Sequence, residues 1–196
     1  MLIFSLIWSN EVLAINNSGD NTTLEILSVV GLNVDDYNIN LGSGYVNSTQ
    51  YFATIDTSGI ETSHWLNETG NLIVINDKHT LNNTGDTNVN VTVSMNDYID
   101  AEDWICGASG STCLGDNARV EVKIEENDGD SCINGGQTNY TVLANHSDKS
   151  TILLCDIFLS TAGINVFDVY YKLQVPMESL TGTKEASFTY TVTGIV

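Results

Sequence analysis

The chain has 196 residues, of which 25 are acidic and six basic, for a formal net charge of −19. A chain of this length holds one domain with a core of its own. The charge argues against nucleic acid and anionic membranes as partners, since both are bound through clustered Lys and Arg. Leu, Ile and Val are plentiful and the acids are dispersed, which excludes a disordered acidic tail.

In chain order, Met1–Trp8 is an apolar run and Val12-Leu13-Ala14 offers residues suited to a signal peptidase. This predicts a signal peptide over residues 1–14 and a mature chain from Ile15. The lack of a basic residue before the run fits a start codon placed too late. The run is too short to span a bilayer and no second one follows, so no anchor is expected in the mature form.

The Asn-rich stretch Ile15–Thr23 then leads into a strand expected over Leu24–Val30. Less regular strands are expected over Tyr45–Asp56, Leu72–Asn76, Tyr140–Ala144 and Thr151–Leu159. Strict alternation marks four more. In Asn88–Met95, Val89, Val91, Val93 and Met95 share one face and Asn90 lies on the other. Arg119–Glu125, Phe167–Val175 and Ser187–Thr193 repeat the pattern, as half-buried strands do. Phe167–Val175 places Asp168, Tyr170, Lys172 and Gln174 on its polar face, and Pro176 follows where a missing donor does least harm. Between the strands lie turn signals at Gly42–Gly44, Asn83–Asp86, Asn127–Asp130 and Asn134–Gly136. A short helix is expected within Met95–Ile105. About nine short strands with frequent turns predict an antiparallel β-sandwich in a single domain, residues 15–196.

Eight Asn-x-Ser/Thr sequons occur, at Asn16, Asn21, Asn47, Asn67, Asn82, Asn90, Asn139 and Asn145. Chance alone gives roughly four at this composition, and a sequon matters only in a chain that leaves the cytoplasm. Cys106, Cys113, Cys132 and Cys155 form an even set, which in an exported chain favours disulfides. Of the three pairings, Cys106–Cys113 would staple a Gly/Ser-rich turn and Cys132–Cys155 would tie an Asp/Gly-rich loop to an apolar strand. A four-thiolate zinc site is the rival, but no Cys-x-x-Cys pair is present.

Catalytic signals are absent. His64, His79 and His146 have no His or Cys at ligand spacing and read as surface or edge residues. No nucleophile elbow, phosphate loop or dinucleotide fingerprint occurs. Asp35-Asp36 and Glu125-Glu126 are adjacent, so on strands they point to opposite faces. Glu126, Asp128 and Asp130 flank Gly129 and offer oxygen ligands to calcium, the one cofactor carried forward; turn chemistry alone also accounts for them. Trp65, Trp104, Tyr45 and Tyr98 are the rings that could stack on sugars.

The stretch Leu72-Ile73-Val74-Ile75-Asn76, the turn Asn83-Thr84-Gly85-Asp86 and the strand Val89–Val93 follow one another. Later come Val175-Pro176, Gly182-Thr183 and Phe188–Val192. This layout resembles immunoglobulin-like domains of archaeal cell-surface proteins. Tyr51–Thr57 is more weakly similar to an early strand of camelysin-type fibre subunits, which polymerise by strand exchange. The resemblance implies an immunoglobulin-like sandwich with a structural role at the cell surface and carries no catalytic residues. The expectation is therefore a non-enzymatic, exported, glycosylated subunit of an envelope or extracellular filament. Its partners would be further copies of itself or other envelope proteins, joined when Leu24–Val30 adds to an open sheet edge. A surface adhesion or carbohydrate-binding module is the alternative.

Overall fold

The computed structural model describes residues 29–107, 115–127 and 129–195. The expected signal peptide, sequons Asn16 and Asn21, residues 24–28 of the first expected strand, Cys113 and Asp128 lie outside the described residues. The described chain is nearly all β. Its strands are β1 (Leu32–Asp36), β2 (Tyr45–Val46), β3 (Phe52–Asp56), β4 (Trp65–Leu66), β5 (His79–Asn83) and β6 (Val89–Met95). After the helix α1 (Ala101–Cys106) come β7 (Arg119–Glu126), β8 (Cys132–Ile133), β9 (Thr141–Ala144), β10 (Ile152–Phe158), β11 (Val166–Pro176) and β12 (Phe188–Gly194).

These form a six-stranded sheet in the order β1-β5-β11-β7-β9 with β3 also on β11, a four-stranded sheet β12-β6-β10-β8, and a two-stranded ribbon β2-β4. Every pairing between these strands is antiparallel. The two larger sheets close on one core. Val89, Val91, Val93 and Met95 of β6 meet Val120, Val122 and Ile124 of β7 and Phe167, Val169 and Leu173 of β11. Phe158 and Phe167 join the sheets, with ring centroids 4.5 Å apart. Each fully buried valine or phenylalanine stabilises by about 1.5–3 kcal/mol relative to leaving it in water.

The eleven-residue β11 organises the larger sheet. One edge pairs with β7 from Phe167 to Gln174, while the other pairs with β5 in its first half and β3 in its second. Between those partners, the Tyr171 backbone is satisfied by Thr57. Its N–H donates to Thr57 Oγ1 (3.0 Å) and its carbonyl accepts from Thr57 N–H (2.9 Å). Centrality corrects the sequence reading of the polar face, because Asp168 and Tyr170 are buried. Lys78 and the Thr80 hydroxyl hold the Asp168 carboxylate. Tyr140 lies across the neighbouring strands with Lys123 and Lys172 at 4.9 and 4.3 Å from its ring, and its hydroxyl donates to the fully buried Asp56.

Other boundaries moved for local reasons. Tyr45–Asp56 is two strands, broken by a turn at Asn47. Leu72–Asn76 makes one bridge, Leu66 to Leu72, and is otherwise irregular. Its Leu72 and Val74 face solvent while it crosses from the ribbon to the main sheet. The strand before the Asn-Thr-Gly turn is instead β5, which buries Leu81 and Asn83. The Asn83 amide donates to Phe158 and Thr87 carbonyls, 3.1 Å each, and accepts from Gly85 N–H (3.1 Å). Gly85 is required there, since a Cβ would sit 2.4 Å from the Val29 carbonyl oxygen. The expected helix is confined to α1, capped by Asp100 Oδ1 accepting from Asp103 N–H (2.7 Å) and ended by Gly107 at φ 82°.

Candidate binding groove

A sheet edge is a row of unpaired backbone groups, which proteins guard with charge, shortness, bulges or cover. Here β1 carries Asp35 and Asp36 and a register shift, β8 has two residues, and β9 has four with a shift against β7. The outer edge of β3 is bridged at Thr54 by Ser63. Among the described strands only β12 is long and unguarded. It has seven residues, Phe-Thr-Tyr-Thr-Val-Thr-Gly, with no charge, and it runs in unbroken register with β6. No strand among the described residues pairs with its other edge.

Beside the start of β12 the core opens into a groove of about 1480 Å³. The floor is the inner face of β3 and β11, with Ile55, Tyr171, Leu173 and Val175. Residues 37–44 with β2, and the irregular stretch 179–187, form its walls. All four aromatic residues singled out from the sequence, Tyr45, Trp65, Tyr98 and Trp104, line it. Trp104 is also a core plug, 5% exposed, packed edge-on against Phe188 with centroids 6.0 Å apart. The indole N–H groups of Trp65 and Trp104 are buried without a hydrogen-bond partner. A groove with an apolar floor, walls of mixed polarity and an adjacent open edge can accept an extended segment or a flat polar ring.

His79 lies at the inner end of this groove. In sequence it reads as a surface or edge histidine, but it begins β5 and is buried. Its Nδ1 bonds the Tyr190 hydroxyl at 2.7 Å, and the same hydroxyl bonds that of Tyr171 at 2.7 Å. A further hydrogen bond reaches the Tyr37 backbone. Burial pushes the imidazole pKa down, outweighing the pull of Asp36 and Asp77, so the ring is neutral at pH 7. Burial likewise raises both tyrosine hydroxyls. The relay ties the two sheets together at the edge strand. Its partners lie 111 and 19 residues apart in sequence, so no local pattern marks them.

The other candidates scatter. Cys132 and Cys155 are disulfide-bonded, joining β8 to β10. Cys106 is also in a disulfide, while Cys113 lies outside the described residues. Glu126 accepts from Cys132 N–H (3.3 Å) and the Ser131 hydroxyl (3.5 Å), and Asp130 is exposed at φ 57°. Among the described residues no three acidic, His or Cys side chains converge to hold a metal. His64 and His146 sit apart, in the connection before β4 and the turn after β9. Sequons Asn47, Asn67 and Asn145 occupy turns, Asn82 and Asn90 lie within strands, and Asn139 is exposed just before β9. Among the described residues, no helix is long and apolar enough to cross a membrane. No family model, curated protein or solved structure matches the chain.

Proposed function

We propose that this chain is an exported, glycosylated structural subunit of a cell envelope or extracellular filament, with an immunoglobulin-like sandwich that assembles by strand addition. The observation that carries the reading is the unguarded edge of β12 beside a groove with an apolar floor. The position of the other end of the chain supports it. Val29 donates to Asp86 Oδ1 (2.5 Å), and Val30 lies against Gly194, where β12 ends. Val29 and Val30 thus lie at one pole of the domain, and the groove opens at the other, near Phe188. A donor at one pole and an acceptor at the opposite one make a heterologous contact, which propagates as an open filament.

Four groove-lining rings favour a second reading, a carbohydrate-binding adhesion module. Electron microscopy of residues 15–196 tests the first. Filaments are expected, and deleting residues 15–28 should leave a folded monomer that no longer assembles. A full-length protein that stays monomeric at high concentration and binds a glycan array would overturn strand addition in favour of adhesion.

A further inference from the structure

The eight sequons are equal in sequence but not in the fold. In Asn47, Asn67 and Asn145 the side-chain oxygen accepts twice from the residue two positions on. Asn47 Oδ1 accepts from Thr49 N–H (3.2 Å) and its hydroxyl (3.1 Å). Asn67 Oδ1 accepts from Thr69 N–H (3.0 Å) and hydroxyl (2.8 Å), and from Asn71 N–H (2.9 Å). Asn145 Oδ1 accepts from Ser147 N–H (2.9 Å) and hydroxyl (3.3 Å), and from Asp148 N–H (3.0 Å). Each is an Asx-turn with the sequon hydroxyl folded back onto the amide. Among the described residues nothing holds Nδ2 of any of the three.

Asn82 and Asn90 differ. Asn82 sits in β5, paired with Asn33 on one side and Val166 on the other, and its oxygen accepts from Asn165 Nδ2 (2.7 Å). Asn90 sits in β6 between β12 and β10, and its Nδ2 donates to Asp156 Oδ1 (3.3 Å). Residues two apart along a strand are separated by roughly 6.5 Å, so the Thr92 hydroxyl cannot fold back onto Asn90 without breaking the ladder. Thr84 lies just past β5, but its N–H is held by the Gly31 carbonyl (3.2 Å) and so is not turned back onto Asn82. Asn139 is exposed, but its Thr141 already begins β9 and gives it no such bond.

We infer that Asn47, Asn67 and Asn145 are the sequons this fold presents for N-linked glycan transfer, and that Asn82 and Asn90 are withheld by their strands. The inference rests on the reading of the chain as exported. In the transfer, Nδ2 attacks C1 of a glycan carried on a lipid diphosphate. The N–C1 bond forms, the C1–O bond breaks, the diphosphate leaves with the electron pair, and an Nδ2 proton passes to a base of the transferase. Two donors on Oδ1 draw electron density from the amide, which makes that proton easier to remove. Asn47 follows β2 and Asn67 follows β4, so glycans there would stand on the ribbon that carries Tyr45 and Trp65 into the groove.

The test is a time course on the folded full chain, using an oligosaccharyl transferase and a lipid-diphosphate-linked oligosaccharide, read by glycopeptide mass spectrometry. Asn47, Asn67 and Asn145 should be modified about tenfold faster than Asn82 and Asn90, and about threefold faster than Asn139. Denaturing the chain should level the rates. Asn82 or Asn90 reacting as fast as the three in the folded protein would overturn the inference. Equal rates at Asn139 would show that exposure, not the turn, decides, and would overturn it too. Glycopeptides from the protein isolated from its source address the export reading separately. Glycan at none of the eight sequons would sink that reading and leave the measured order of rates intact.

Discussion

Tyr190 should matter more than Tyr171, although Tyr171 is the more deeply buried. The reason is that the Tyr190 hydroxyl serves two groups and the Tyr171 hydroxyl serves one. The Tyr190 hydroxyl sits between the other two groups, 2.7 Å from His79 Nδ1 and 2.7 Å from the Tyr171 hydroxyl. Tyr171→Phe deletes the end of this chain and costs about 1 kcal/mol, one neutral hydrogen bond. Tyr190→Phe deletes its middle. His79 Nδ1 and the Tyr171 hydroxyl are then both left without a partner, in residues 7% and 2% exposed. Two lost bonds plus partial desolvation penalties come to about 2–3 kcal/mol. In a domain of this size that lowers Tm by about 4–12 °C. Urea unfolding followed by tryptophan fluorescence reads the difference, since Trp65 and Trp104 share the groove with His79. Equal costs for the two variants, or a cost for Tyr190→Phe below about 0.5 kcal/mol, would refute the relay.

The same relay sets a pH dependence. Because the folded His79 pKa lies below its ordinary 6.5, its contribution is fully present above 6.5 and is lost as pH falls toward the folded value; a His79→Gln variant should lack this slope between pH 7 and 5.5 in the same urea titration. Asp56 is buried and accepts from Ser58 N–H and hydroxyl, Glu61 N–H and Tyr140; Asp56→Ala should cost about 3–5 kcal/mol by chemical denaturation. Burial pushes the Asp56 carboxyl up, but those donors hold it below 3.8 on balance, so the stability it confers is present above pH 3.8 and disappears as pH falls through the folded value. Reducing the Cys132–Cys155 bond, which closes a loop of 23-residue separation, should cost about 3 kcal/mol, read as a shift in Tm of the Cys132→Ser/Cys155→Ser protein. Glu102 has the opposite sign: burial and the neighbouring Asp116 and Asp100 push its carboxyl up, and one oxygen has no partner. Glu102→Gln should therefore raise stability at pH 7 by about 1 kcal/mol, and the gain should shrink as pH falls.

Most of the strands were legible because their chemistry is local. Val89, Val91, Val93 and Met95 announce β6 by spacing alone, and Val120, Val122 and Ile124 do the same for β7. β1 and β5 were missed because Leu-Asn-Val-Asp-Asp and His-Thr-Leu-Asn-Asn carry only two and one aliphatic residues, too few to mark a stripe. They are strands because β11 offers β5 a central partner and β5 then offers one to β1. The same long-range logic hid the buried polar face of β11, where Asp168 is neutralised by Lys78, 90 residues away. The aromatic residues of the groove were named individually, but their convergence depends on the ribbon, α1 and the 179–187 wall meeting in space. Cys132–Cys155 was legible because its two flanks become neighbouring strands. The turn geometry that separates Asn67 from Asn82 was not, since both read simply as Asn-x-Thr.

An open edge is normally a hazard, and the rest of this molecule bears that out. The other described edges are charged, short, shifted or bridged, so each but β12 carries a guard against stray pairing. A net charge of −19 adds repulsion between copies, which suppresses non-specific association of acidic surfaces while leaving a neutral strand free to dock. β12 and its flank meet that requirement, because Thr189, Thr191 and Thr193 point outward without charge. The direction of the chain bears on whether a strand is supplied within one molecule or between two. Residues leading to Val30 arrive beside Gly194, so a segment lying along β12 of its own domain would run parallel to it. A segment from a second molecule is free to enter antiparallel, with the better hydrogen-bond geometry. Edge exposure, pole separation and strand direction all favour exchange between copies over closure within one.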